Sequence, residues 1–264
     1  MAVTGLGSVL RGVFDAVFRP HRFVEFQTST YASSRRASAR QLGSLVVVYA
    51  VNLAAYATPL TLAGIGVQQS GRPPAAYAAT VGRYGLDPAG SWHLLSAFVR
   101  NSLFITAATV LTLLALHVGM VLVRESRGLV QSTHTVVYTT SAYLAAVFSG
   151  VWYLTSQPSV GGARDFVLNL QAAFVYAVLD ALGTDLELPG GRPEDIVAAT
   201  ITPAGQWVLA LLAVAVGYYL FSLYLGARIN HQASRSGAFV AVTSVALSPV
   251  AYVVGSVAVT LLAQ

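Results

Sequence analysis

The chain of 264 residues contains no cysteine. Disulfides, thiolate nucleophiles, thiolate zinc sites and palmitoylation are thereby excluded. It contains no lysine either: all 15 basic residues are arginine. A Schiff-base lysine and a phosphate-loop lysine are impossible. Charge of any kind is scarce, at 9% of residues against roughly 25% in a typical soluble domain. Catalytic patterns are missing as well. There is no GxSxG elbow, no phosphate loop and no pair of carboxylates inside an apolar run, so neither an enzyme nor a cofactor site is expected.

What the chain does have is long uncharged stretches. Residues 101–123 carry no charged side chain, and neither do 131–162. Between them VRESRGLVQSTHTVVY (123–138) packs two arginines and a glutamate into four residues. Uncharged runs of 18 or more read as transmembrane helices, since the hydrocarbon core takes about 20 residues of helix to cross. The expected fold is all-α, a polytopic helix bundle with five spans at about 42–67, 101–123, 132–155, 205–227 and 237–262. Residues 1–41 form a separate N-terminal segment, and 42–264 the transmembrane domain. In 1–41, Leu6, Val9, Leu10, Val13, Phe14, Val17 and Phe18 make one helical stripe, opposite Arg11, Asp15 and Arg19. That spacing predicts an amphipathic interfacial helix.

Arginine asymmetry sets the expected orientation. Six arginines precede the first span, two lie in the 124–131 turn and two in the 228–236 turn. The other side has five: Arg72, Arg83, Arg100, Arg164 and Arg192. The long loop 156–204 is acidic. This puts the N-terminus in the cytoplasm, the C-terminus outside, and the charged turns on the cytoplasmic face of a cell membrane. The net charge of +5 reflects that orientation, because the arginines form no basic face for nucleic acid. One segment of the long loop, 166–182, is apolar but holds Asn169, Gln171 and Asp180. It is expected to be interfacial or re-entrant rather than a sixth span.

Several residues in or beside the spans are candidates for function. Pro59 and Pro249 each break a helical hydrogen bond and would free the carbonyls of Ala55 and Val245. Asn52 places an amide in the first span, where it either bonds across helices or lines a polar path. His117 is an ionisable residue two turns inside the cytoplasmic boundary. His117, His134 and His231, with Glu125, could build a metal site only if three helix ends met; none has a partner at i+3 or i+4, and no metal is expected. Arg124, Glu125, Arg127, Arg228, His231 and Arg235 form the candidate cytoplasmic face for a partner. Small residues recur every fourth position at Ala142, Ala146 and Gly150, at Ala213 and Gly217, and at Ala251 and Gly255, a spacing that permits close helix approach or oligomerisation.

Three pieces resemble the Yip-domain family, five-span membrane proteins named for interaction with Ypt/Rab GTPases. They are the entry FRPHRFVEF, the turn RESRGLVQSTHTVVYTTSAY, and the end GYYLFSLYLGARINHQASRSGAFVAVTSVALSP. The chain departs from the family in having Ser141 and Ala142 where a proline is common, in its long 156–204 loop, and in its short basic N-terminal segment. The resemblance implies a non-enzymatic scaffold or adaptor in membrane organisation, whose partners are the bilayer and another membrane protein or a second copy. The alternative that Asn52, His117 and the two prolines keep open is a small transporter or channel subunit.

Overall fold

The computed structural model describes residues 15, 19, 21, 35–67, 71–187, 191–193 and 201–262. The amphipathic stripe of residues 5–19 therefore lies outside the described residues, apart from Asp15 and Arg19. Every regular element among the described residues is helical: α1 (Arg35–Leu62), α2 (Ala75–Arg83), α3 (Pro88–Leu122), α4 (Leu129–Ser156), a 3-10 turn (Pro158–Val160), α5 (Gly161–Ala181), α6 (Pro203–Asn230), α7 (Arg235–Ala246) and α8 (Ser248–Leu262).

Among the described residues, four helical stretches are long and apolar enough to cross a membrane: Leu45–Leu62, Pro88–Leu122, Pro203–Asn230 and Arg235–Thr260. Large apolar side chains such as Val46, Leu103, Trp207, Leu211 and Phe239 point out of the bundle, each at least 65% exposed. In water so much exposed apolar surface would drive aggregation; against lipid it is matched. The chain is a multi-pass helical membrane protein.

α4 does not stand among those four, although it has 28 residues and was expected as the third span. Its neighbours explain the difference. α4 packs against α6, α1 and α3, and its buried face carries Ser132, Thr135, Thr139 and Thr140. The Thr139 hydroxyl donates to the Thr135 carbonyl at 2.7 Å and that of Thr140 to the Val137 carbonyl at 2.9 Å, so these polar groups are satisfied without water. A helix so enclosed is diluted in apolar content on the face that other helices cover.

Two differences from the expected spans stand out. α3 starts at Pro88, not near 101, because Asp87 caps it: its carboxylate accepts from the N–H groups of Ala89 at 3.0 Å and Gly90 at 2.9 Å, and Pro88 suits the first helical position. At 35 residues α3 runs about 50 Å, well beyond the ~30 Å of a hydrocarbon core. The last expected span is two helices, divided at Leu247, just before Pro249. Pro59, by contrast, sits inside an unbroken α1. Segment 166–182 is helical as part of α5, with Tyr176 and Leu179 buried against Val253 and Val257 of α8.

The core is divided. Leu116, Met120, Val136, Leu223, Ala227, Ala238 and Ala241 fill the space where α3, α4, α6 and α7 meet. Tyr56, Ala57, Leu60 and Ile105 form a second cluster between α1 and α3, where the Tyr56 hydroxyl donates to the Thr140 carbonyl of α4 at 2.5 Å.

Candidate functional site

The turns 124–131 and 228–236 are over a hundred residues apart in sequence and form one structure. Each reverses the chain through a non-glycine residue in the left-handed region, Arg124 at φ 59° and Gln232 at φ 53°. That conformation costs about 1 kcal/mol or more for a residue with a Cβ, so the surroundings must hold it. Behind Arg124, the Glu125 N–H donates to the Met120 carbonyl at 3.1 Å and the Arg124 N–H to that of Val121 at 2.9 Å, closing the C-terminus of α3. Behind Gln232, Ser234 caps α7 by accepting from the Gly237 N–H at 3.0 Å.

Three hydrogen bonds then cross between the turns. The Arg127 backbone N–H donates to Nδ1 of His231 at 3.1 Å. The Arg127 guanidinium donates to Oε1 of Gln232. The Glu125 carboxylate accepts the backbone N–H of Ser234 at 3.0 Å, which places a negative charge at the N-terminus of α7, where the helix dipole favours it. Gly237 makes room for that carboxylate, since a Cβ there would collide with Oε2 of Glu125.

Beneath the crossing lies a buried polar chain. Nε2 of His231 is 3.2 Å from Oγ of Ser132, and the same oxygen is 3.0 Å from Nδ1 of His117. His231 is 2% exposed and Ser132 fully buried. The directions follow from the one fixed donor. A backbone N–H can only donate, so Nδ1 of His231 accepts and its proton resides on Nε2, which donates to Ser132. The Ser132 hydroxyl then lies between this donor and Nδ1 of His117 and also reaches the Gly128 carbonyl at 3.5 Å. Burial first, then the charges of His117 and Arg127, push the His231 imidazolium down to a pKa of about 4, so the neutral ring this geometry needs is the favoured form near pH 7. Asn230 extends the network by donating to the Thr135 hydroxyl at 2.7 Å, and the Arg228 guanidinium donates to the Ala233 carbonyl at 3.2 Å.

The helices approach closely to allow this. A Cβ at Gly119 would fall 2.7 Å from Cα of Ala241, and one at Gly226 would fall 2.3 Å from Cγ2 of Thr135. The small-residue repeats seen in the sequence contribute less: Gly150 faces only the Leu212 side chain, and Gly217 and Gly255 face open space.

Of the expected site residues, His117, Glu125, Arg127, Arg228 and His231 belong to this assembly, and Arg124 and Arg235 stand exposed on its rim. Asn52 on α1, Pro59 on α1 and Pro249 at the α7–α8 junction are not drawn into it by any described bond. Asn52 keeps a buried Nδ2 with no partner among the described residues. His134 lies with its ring against Tyr138, centroids 4.5 Å apart. Among the described residues no group of three His, Asp or Glu side chains is placed to hold a metal. Ser132, Thr135, Asn230, Gln232 and Ser234 escaped sequence reasoning, because a lone hydroxyl or amide at a helix end is ordinary. Comparison with protein-family models, with curated proteins and with solved structures gives no match.

Proposed function

We propose that the protein is a non-enzymatic scaffold or adaptor of the cell membrane that presents its two paired turns to a cytoplasmic or membrane-bound protein partner. The observation that carries this reading is the cross-turn lock of Arg127, His231, Gln232, Glu125 and Ser234. A turn that merely joins two helices needs no such lock. A binding surface does, because preordered groups lose less entropy on association. The exposed guanidiniums of Arg124, Arg127 and Arg235 offer that surface charge-assisted donors. The Yip-domain resemblance fits the same role, as does a five-span topology in which α4 crosses shielded by its neighbours, with the N-terminus inside, the C-terminus outside and α5 interfacial or re-entrant.

The test is a pull-down of the tagged full chain from native membranes in mild detergent, with partners identified by mass spectrometry. A stoichiometric partner lost on combined Arg124→Glu and Arg235→Glu substitution is the expected result; a partner retained at full yield by that variant overturns the assignment of the face. The unpartnered amide of Asn52 favours a second reading, a small transporter or channel subunit. Asn52→Ala, outside the paired turns, leaves a scaffold's partner bound but abolishes solute flux through a transporter in liposomes.

A further inference from the structure

α8 is flanked by two grooves of different chemistry. One, of about 650 Å³, runs between α3 and α8 and is apolar along Val110, Leu114 and Val259. The other, of about 310 Å³, lies between α5, the segment that follows it and α8. Its floor is made by Val175, Leu179, Leu186, Val253 and Val257, and its polar groups are Glu187, Tyr252, Ser256 and Thr260. The volume sits at the lower end of the range of small-molecule sites, about 300–1,000 Å³, and an apolar floor with a few polar groups is their usual make-up.

Those polar groups are biased towards accepting. The Ser256 hydroxyl gives its single proton to the Tyr252 carbonyl at 2.9 Å, and the Thr260 hydroxyl gives its own to the Ser256 carbonyl at 2.9 Å. Only their lone pairs remain for a ligand. The Glu187 carboxylate accepts only. Tyr252 can donate or accept, and its half-exposed ring offers a face to a cation.

The surrounding charge has the same sign. Arg192 is engaged by Asp180 through two hydrogen bonds of 3.0 and 2.6 Å and lies 4.7 Å from the centroid of the Tyr176 ring, a bidentate clamp that commits its charge. No ion pair among the described residues engages Asp185 or Glu187. Arg192 also feels the charge of Glu187, so two carboxylates, Asp180 and Glu187, share one guanidinium. An anion is repelled here, and a neutral hydrocarbon leaves the acceptors unused.

We propose that this groove binds a small organic cation with an apolar body, a protonated amine whose ammonium sits against Glu187 and Tyr252 and whose hydrocarbon part covers the Val175–Leu179–Val257 floor. The site is separate from the paired turns, and it stands or falls independently of the scaffold reading.

The test uses the full chain in nanodiscs, with empty nanodiscs subtracted, and isothermal titration with 1-adamantylamine, protonated at pH 7, beside the size-matched neutral 1-adamantanol. Saturable binding of the amine, at least ten-fold tighter than the alcohol, is expected, together with at least a ten-fold loss in Glu187→Gln. That residue is exposed, so the variant keeps the fold, and an unchanged thermal melt checks this. Equal affinity for amine and alcohol, an undiminished Glu187→Gln, or no saturable binding of the amine at millimolar concentration overturns the proposal.

Discussion

The carboxylate of Glu125 accepts the backbone N–H of Ser234 at 3.0 Å, so the turn that ends α3 supplies a cap for α7. Ser234 itself accepts the Gly237 N–H, and a residue 109 positions upstream thereby does what the third helical residue of a capping box does, bonding the N–H of the N-cap residue. The space for it exists because position 237 is glycine.

Gly237→Ala should therefore destabilise the protein by about 1–3 kcal/mol, as overpacking does in tight interiors. Thermal melts in detergent measure this. Glu125→Ala removes the obstacle, and the double variant should lose less than the sum of the two single losses. Strict additivity would show that the carboxylate does not occupy that space.

His231 makes stability depend on pH with a defined sign. Its folded pKa of about 4 lies below the ordinary 6.5, so the unfolded chain takes up the proton first. Its stabilising contribution is complete above pH 6.5 and is lost as pH falls from there through 4. Protonation also turns Nδ1 into a donor facing the Arg127 N–H. The melting temperature should drop over that window, and His231→Gln should flatten the drop. A profile of unchanged slope in the variant would assign the acid sensitivity to other groups.

At the far end of α1, Asn101 is 5% exposed and donates to the Thr61 hydroxyl and to the Ile65 carbonyl, each at 3.0 Å. It ties the α1 terminus to α3 beside the Arg100 bond to the Gly66 carbonyl at 2.9 Å. Asn101→Ala should cost about 1–3 kcal/mol, the penalty for buried partners left unsatisfied. Faster proteolysis of the 63–74 segment at unchanged secondary structure would locate the loss there.

Gly226 and Gly217 occupy the same helix and should behave oppositely. Gly226→Leu meets Thr135 of α4 and should abolish the folded, monodisperse protein. Gly217→Leu faces open space and should leave the melt unchanged. If Gly217→Leu alters the size of the detergent complex, that face packs against a second copy.

Much of this architecture can be read directly from the residues. The uncharged runs and the short charged turns between them act locally, whereas the Asp87 cap before Pro88 and the Ser234 cap of α7 were missed, because a lone carboxylate or hydroxyl before an apolar run is ordinary in a loop. Placing ten arginines in the N-terminal segment and the two short turns follows from the cost of putting charge in hydrocarbon. What could not be read is α4 as an enclosed, hydroxyl-lined helix, for serine and threonine mark an exposed face as readily as a buried one. The division of the last span at Leu247 was half legible, since Pro249 signals a defect but not whether it bends a helix or splits it.

The sequence by itself determined that this chain is helical, lies in a membrane and keeps its charge in short turns, because each of those outcomes depends on runs of neighbouring residues and on the dielectric they can tolerate. Only the tertiary structure decided that turn 124–131 and turn 228–236 form one surface. That pairing rests on Arg127 with His231 and on Glu125 with Ser234, donors and acceptors of common type. They meet because Gly119 and Gly226 let α3, α4, α6 and α7 approach until a long-range hydrogen bond costs little further ordering.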